Sequence, residues 1–211
     1  MAGRPKASES RDTRAEILDV ALELFADKGF YGVSIRDVAR GTGVGVSALY
    51  HHFPNKEALF EAVILDNGAD GKPQVGPGAL PSFDGTSAEL PAFLERVLVA
   101  AMTRFAAMRE RKRFRLFFSD GPRLALEGKI NLWEKFEIAR QPMVDLMGQL
   151  VARGLLRHAA PDLVALTFIA PLMLWRQLLI ISPEHPWVTN PQDFVRHCIA
   201  QFLHGAAPPP A

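Results

Sequence analysis

Between Ser34 and Lys56 the chain reads SIRDVARGTGVGVSALYHHFPNK, and no other stretch restricts the fold as strongly. Ser34 and Asp37, three apart, form a capping-box pair that can satisfy two orphan backbone N–H groups at a helix start. Ile35, Val38 and Ala39 then share one face, and Arg36 and Arg40 share the other. Gly41-Thr42-Gly43 ends this helix and Val44 plugs the turn. A second short helix follows over Val46–His52 with Gly45 at its N-cap, and Pro54 stops it. Leu49 and Phe53 face inward at i, i+4. Val46, Ser47, Ala48, Tyr50, His51 and His52 are left outside. Two short helices on a tight glycine turn need outside support, so the flanking helices must supply a core.

Those supports are legible. From about Thr13 to Lys28 the apolar residues Ile17, Leu18, Ala21, Leu24 and Phe25 make a helical stripe, and Gly29 ends it. Residues 1–12 are polar and read as a mobile arm. Asn55 caps a fourth helix from Lys56 to about Asp66, with Leu59, Phe60, Val63 and Ile64 inward. A helix that shows small and hydrogen-bonding side chains, braced by a crossing helix, suits the DNA major groove. Bulk charge does not announce this, because residues 1–66 hold more acids than bases. Distribution does: Glu16, Asp19, Glu23 and Asp27 lie on the first helix, while Arg36, Arg40 and Lys56 surround the helix pair.

From Thr13 to Ile64, with GFYGVSIRDVARGTGVGVSALYHHFPNKEALF at its centre, the chain resembles the N-terminal DNA-binding domain of the TetR family of transcriptional regulators. The resemblance implies roles by position. Arg36 reaches a base or phosphate, Val46, Ser47 and Ala48 face the groove, Tyr50 and His51 meet the backbone, and Lys56 meets a phosphate. Ser34, Gly45 and His52 complete the expected contact set. The family often has Ser where Gly45 stands and Lys, Arg or Gln where Val46 stands. A valine can touch a thymine methyl but cannot hydrogen-bond a base edge. Much of the affinity is therefore expected from phosphates.

Residues 67–91 hold five Gly and four Pro and read as a flexible linker. From 92 to 205 the pattern is helical. Helices are expected over about Pro91–Glu110, Phe114–Ser119, Leu124–Arg153 (with a break at Gly128 or Pro142 left open), Asp162–Ile181 and Pro191–Leu203. RERKRFR at Arg109–Arg115 reads as a solvated hinge between two of them, with a nucleic-acid patch as the alternative. The fold class is all-α: a three-helix helix-turn-helix domain over 1–66, then a helical ligand-binding and dimerisation domain. Met102, Phe105, Met108, Phe117, Trp133, Phe136, Met143, Met147, Phe168 and Trp175 could line an apolar pocket for an aromatic or apolar small molecule, with Arg140 and Arg176 as polar groups. The resemblance implies a homodimer through the last two helices, a palindromic double-stranded operator, and release of a repressor by ligand.

Other chemistries fit less well. The glycines of 41–45 have no strand before them and no Lys-Ser/Thr after them, so a phosphate loop is not supported. His197-Cys198 lacks a partner pattern for catalysis, and adjacent His51 and His52 do not converge on one metal ion. No enzyme, cofactor or metal site is expected. The single Cys and the polar N-terminus suit a reducing, cytoplasmic setting. Residues 163–181 are apolar, but Arg176 within them favours a buried interface helix over a membrane span.

Overall fold

The computed structural model describes residues 7–65, 80–157 and 159–206. Every regular element among them is a helix. They fall into two compact units, one built from 7–65 with Lys112–Ala139, the other from 80–111 with 140–206.

The first unit begins with α1 (Ala7–Lys28). Ile17, Leu18, Ala21, Leu22 and Phe25 are its buried stripe. Leu22 holds the place expected for Leu24, which is half-buried. The helix also starts earlier than its apolar pattern suggests, so much of the polar arm is helical; residues 1–6 lie outside the described residues. In α2 (Ile35–Thr42) the capping box is complete. Ser34 N donates to Asp37 Oδ2 at 2.9 Å, and Asp37 N donates to Ser34 Oγ at 3.2 Å. The hydrogen bonds from Ser34 hold the Asp37 carboxyl below its ordinary range. Ser34→Ala should lower stability by about 1 kcal/mol, read as a lower urea midpoint.

Gly43, at φ +69°, turns the chain into the left-handed region. Thr42 Oγ1 braces the turn, donating to Val38 O and accepting from Val44 N. At Gly41 a Cβ would stand 2.7 Å from Val20 Cγ1, so α1 and α2 touch backbone to side chain there. The short α3 (Val46–His52) buries only Leu49. Asn55 Oδ1 accepts from Ala58 N at 2.7 Å and opens α4 (Lys56–Leu65). Phe25, Phe30 and Phe60 form an aromatic triangle with centroids 5.3–5.9 Å apart.

This core is closed from far along the chain. Leu116, Leu124 and Ile130 are buried in the same cluster. The second unit opens with α5 (Leu90–Ala106), and Ala107 caps it. The next helix, α6 (Met108–Ser119), contains the whole basic run. The solvated hinge is thus corrected: the chain bends at Ala107, and the bases are helical and engaged. Lys112 pairs with Glu23, and Arg115 donates to Ala26 O at 2.7 Å at the C-terminal end of α1. Arg113 is 4% exposed. Behind them come α7 (Gly121–Leu126) and α8 (Leu132–Ala152). Gly128, at φ +69°, separates these two, whereas Pro142 sits inside α8. A division that gives everything after 91 to one effector domain is therefore revised, because Lys112–Ala139 packs with the N-terminal helices.

In the second unit α5, the later part of α8, α9 (Pro161–Ile181) and α11 (Gln192–Ala206) share one core. Leu94, Leu98, Met147 and Leu150 are almost fully enclosed there. A short α10 (Pro186–Thr189) is additional to the expected helices, held by Trp175 Nε1 donating to Trp187 O at 2.9 Å. The expected linker also changes. Residues 66–79 lie outside the described residues, but Phe83 is buried, and Arg153 donates to Phe83 O and to Gly85 O. The segment 80–89 is a packed strap that leads into α5. By length and composition α9 could cross a membrane, yet Val164, Phe168, Leu172 and Trp175 are buried in this core. Leu163, Leu166, Leu174 and Ile181 are exposed along its other side.

Candidate nucleic-acid interface

Leu49 and Phe53, 0% and 2% exposed, pin α3 to the core and turn its other faces outward. Val46, Ser47, Ala48, Tyr50 and His51 are exposed. The start of α2 and the start of α3 flank an open depression of about 690 Å³. Tyr31, Ser34, Arg36, Asp37, Val46, Tyr50 and Lys56 line it. The two helix starts, with an exposed Arg36 and a half-exposed Tyr50, thus face one space.

Each expected contact residue has a definite setting. Ser34 spends its hydroxyl on the cap, donating to Asp37 Oδ2 at 2.6 Å. Arg40 stands 3.6 Å from Asp37, while Arg36 is exposed. Around Gly45 a Cβ would meet nothing within 4 Å, so a serine there would fit without rearrangement. His52 is half-buried and next to Arg14 and His51; burial, then those neighbours, push its pKa down and favour the neutral ring. His51 is the more open of the pair, with the two rings 6.0 Å apart.

Lys56 departs most from its expected role. Its ammonium donates to Phe30 O at 3.0 Å and to Val33 O at 2.9 Å. It also lies 4.1 Å from the Phe30 ring centroid. An ammonium has three N–H donors, so two are committed to the backbone between α1 and α2. Burial lowers its pKa, and the field of Lys129 pushes the same way. Tyr31 was not expected at the interface. The only sequence signal for it is its place three residues before the Ser34 cap.

The expected effector residues do not form one set. Met102, Met147, Phe168 and Trp175 are buried core of the second unit, with Phe105 and Met143 against them. Met108 is exposed, and Arg140 is half-buried. Arg176 lies 3.8 Å from the Phe105 ring centroid, and burial lowers its pKa to about 10. Phe117, Trp133 and Phe136 belong instead to the first unit, where Trp133 is 68% exposed. Among the described residues no group of three or more His, Cys, Asp or Glu is placed to hold a metal ion.

Residues 17–63 match the family described as bacterial regulatory proteins, tetR family. Over 60 residues the chain is 38% identical to the HTH-type transcriptional regulator UidR of Escherichia coli (strain K12), covering 28% of this chain and 31% of UidR. Over 59 residues it is 39% identical to the HTH-type transcriptional repressor KstR2 of Mycolicibacterium smegmatis, covering 28% and 29%. The chain thus spans less than a third of the length of these relatives. The whole fold matches a TetR-family transcriptional regulator from Mesorhizobium loti MAFF303099, with a TM-score of 0.69, 21% identity, and 97% and 100% of the two chains covered. Residues 17–63 thus match the DNA-binding domain of the tetR family, and the fold as a whole is similar to that of a TetR-family regulator.

Proposed function

We propose that the chain is a DNA-binding transcriptional repressor. It acts as a homodimer on a palindromic operator and leaves it when an apolar or aromatic small molecule binds the second unit. The exposed face of α3 carries this reading: one buried leucine fixes the helix, and nearly everything else on it is presented to solvent. The name of KstR2 supports repression as the sign.

Dimerisation through α9 and α11 rests on the leucines left outside on α9, which a second copy of α9 would cover. A two-fold pair of recognition helices then calls for a two-fold operator. Ligand action requires two states with different ligand affinity. In α6, Arg111 donates to Leu179 O in the second unit, and the next residue, Lys112, pairs with Glu23 in the first.

Arg36→Ala and Tyr50→Ala test DNA binding. On a duplex selected by the protein from a random-sequence pool, each should weaken a mobility shift about tenfold, or about 1.4 kcal/mol. Unchanged affinity for both would remove the assignment. One observation favours a repressor without a ligand: four of the expected effector residues already fill the second unit's core. A protein of the same fold, SmeT, occurs as a complex with triclosan, which favours a ligand. Thermal shift against apolar and aromatic compounds decides between the two.

A further inference from the structure

The rim of the interface is short of free positive charge where the family resemblance places it. Lys56 is turned toward Phe30 O and Val33 O. Yet Tyr31, which lines the same depression, carries two cations on its ring. Arg123 stands 4.3 Å from the ring centroid and Lys129 4.9 Å. Arg123 lies on α7 and Lys129 in the turn that joins α7 to α8, about seventy residues beyond α3. Glu127 sits between them. It accepts from Arg123 Nε at 3.1 Å, pairs with Lys129 Nζ at 2.8 Å, and accepts a hydrogen bond from the Tyr31 hydroxyl.

This arrangement fixes the two cations without using them up. The Lys129, Tyr31 and Arg123 hydrogen bonds hold the Glu127 carboxyl at about 2, so it stays ionised wherever DNA is stable. Glu127 and, at longer range, Asp120 act on Arg123, while Lys56 adds a third cation near Lys129. The Arg123 side chain is 67% exposed, and of its five N–H donors Glu127 takes the one on Nε. Its guanidinium is therefore preorganised on an aromatic face with a fork of donors pointing to solvent, the geometry that suits a phosphate. Ring stacking restricts the long side chain before DNA arrives, which lowers the entropic cost of the contact.

We infer that Arg123 and Lys129, seated on Tyr31 by Glu127, form a second phosphate-binding shelf beside the recognition helix. This rests on the DNA-binding reading above and extends it to residues outside the helix-turn-helix. The shelf contacts backbone and reads no sequence. It therefore contributes to affinity on any duplex long enough to reach it.

The test uses the full chain and a 40-base-pair duplex of mixed sequence, with affinity followed from low to moderate salt. Each phosphate contact contributes a slope of about 0.9 in log affinity against log salt. Arg123→Gln with Lys129→Gln should lower the slope by about two and weaken binding. The charge-keeping pair Arg123→Lys with Lys129→Arg should restore it. A purely structural clasp would behave differently: the double glutamine variant would melt earlier but keep the salt slope. An unchanged slope in the double glutamine variant, or no recovery of slope in the charge-keeping pair, overturns the shelf. If Arg36→Ala and Tyr50→Ala also bind normally, it is the DNA-binding reading itself that fails.

Discussion

Phe60→Ala will take the first unit to the edge of folding. Phe60 is fully enclosed and meets Phe25 and Phe30 edge-on at 5.4 and 5.3 Å. Emptying such a site costs about 3–5 kcal/mol, and losing two aromatic pairs adds roughly 1 kcal/mol or more. Few proteins hold more than about 5–15 kcal/mol in all. The loss should appear as a large drop in the urea midpoint, with the affinity for DNA falling in parallel. Phe60→Leu keeps most of the volume and should cost far less. Equal losses in the two variants would show that the triangle is not what holds the helices.

Lys56→Met comes second, with a signature of its own. Phe30 O and Val33 O would lose the donor they share while the aliphatic stem remains. Removing a charged donor from two partly buried acceptors costs roughly 2 kcal/mol, or a melting temperature lower by about 4–8 °C in a chain of this size. The effect on DNA should run through the bend between α1 and α2, which sets where α2 begins. The salt slope of DNA binding should fall by less than one unit, while stability drops clearly. A full unit lost with no change in melting would return Lys56 to the phosphate role that the family resemblance implies.

Both cases show where the sequence is legible and where it is not. The capping box at Ser34, the turn at Gly43 and the inward pair Leu49 and Phe53 can all be read ahead. Each is set within four residues, by helical period or by backbone sterics. The fate of Lys56 depends on carbonyls 23 and 26 positions upstream, and nothing beside Lys56 in the chain marks them. The basic run at 109–115 misleads for a related reason. Consecutive charges suggest solvent, but helical geometry points them different ways, and one of them is buried. Likewise Leu116, Leu124 and Ile130 show an apolar face without showing what covers it. Their partner is the N-terminal core, a choice no local pattern records. For the pocket residues, aromatic and methionine content was a poor guide to location. Phe117, Trp133 and Phe136 look like Phe168 and Trp175 in composition, yet belong to the other unit.

That discontinuous first unit also sets an order of events at the ribosome. The recognition helix is made early, but three of the side chains that seal its core belong to a segment that ends at residue 139. Until that segment emerges, the nascent helices show Leu and Phe surface to solvent and to chaperones. Closing the core must bring together residues roughly sixty to a hundred positions apart, which slows folding relative to a bundle of neighbours. A chain released early would carry the exposed face of α3 on an unsealed core, so that face is held firmly only once the segment ending at residue 139 has been made.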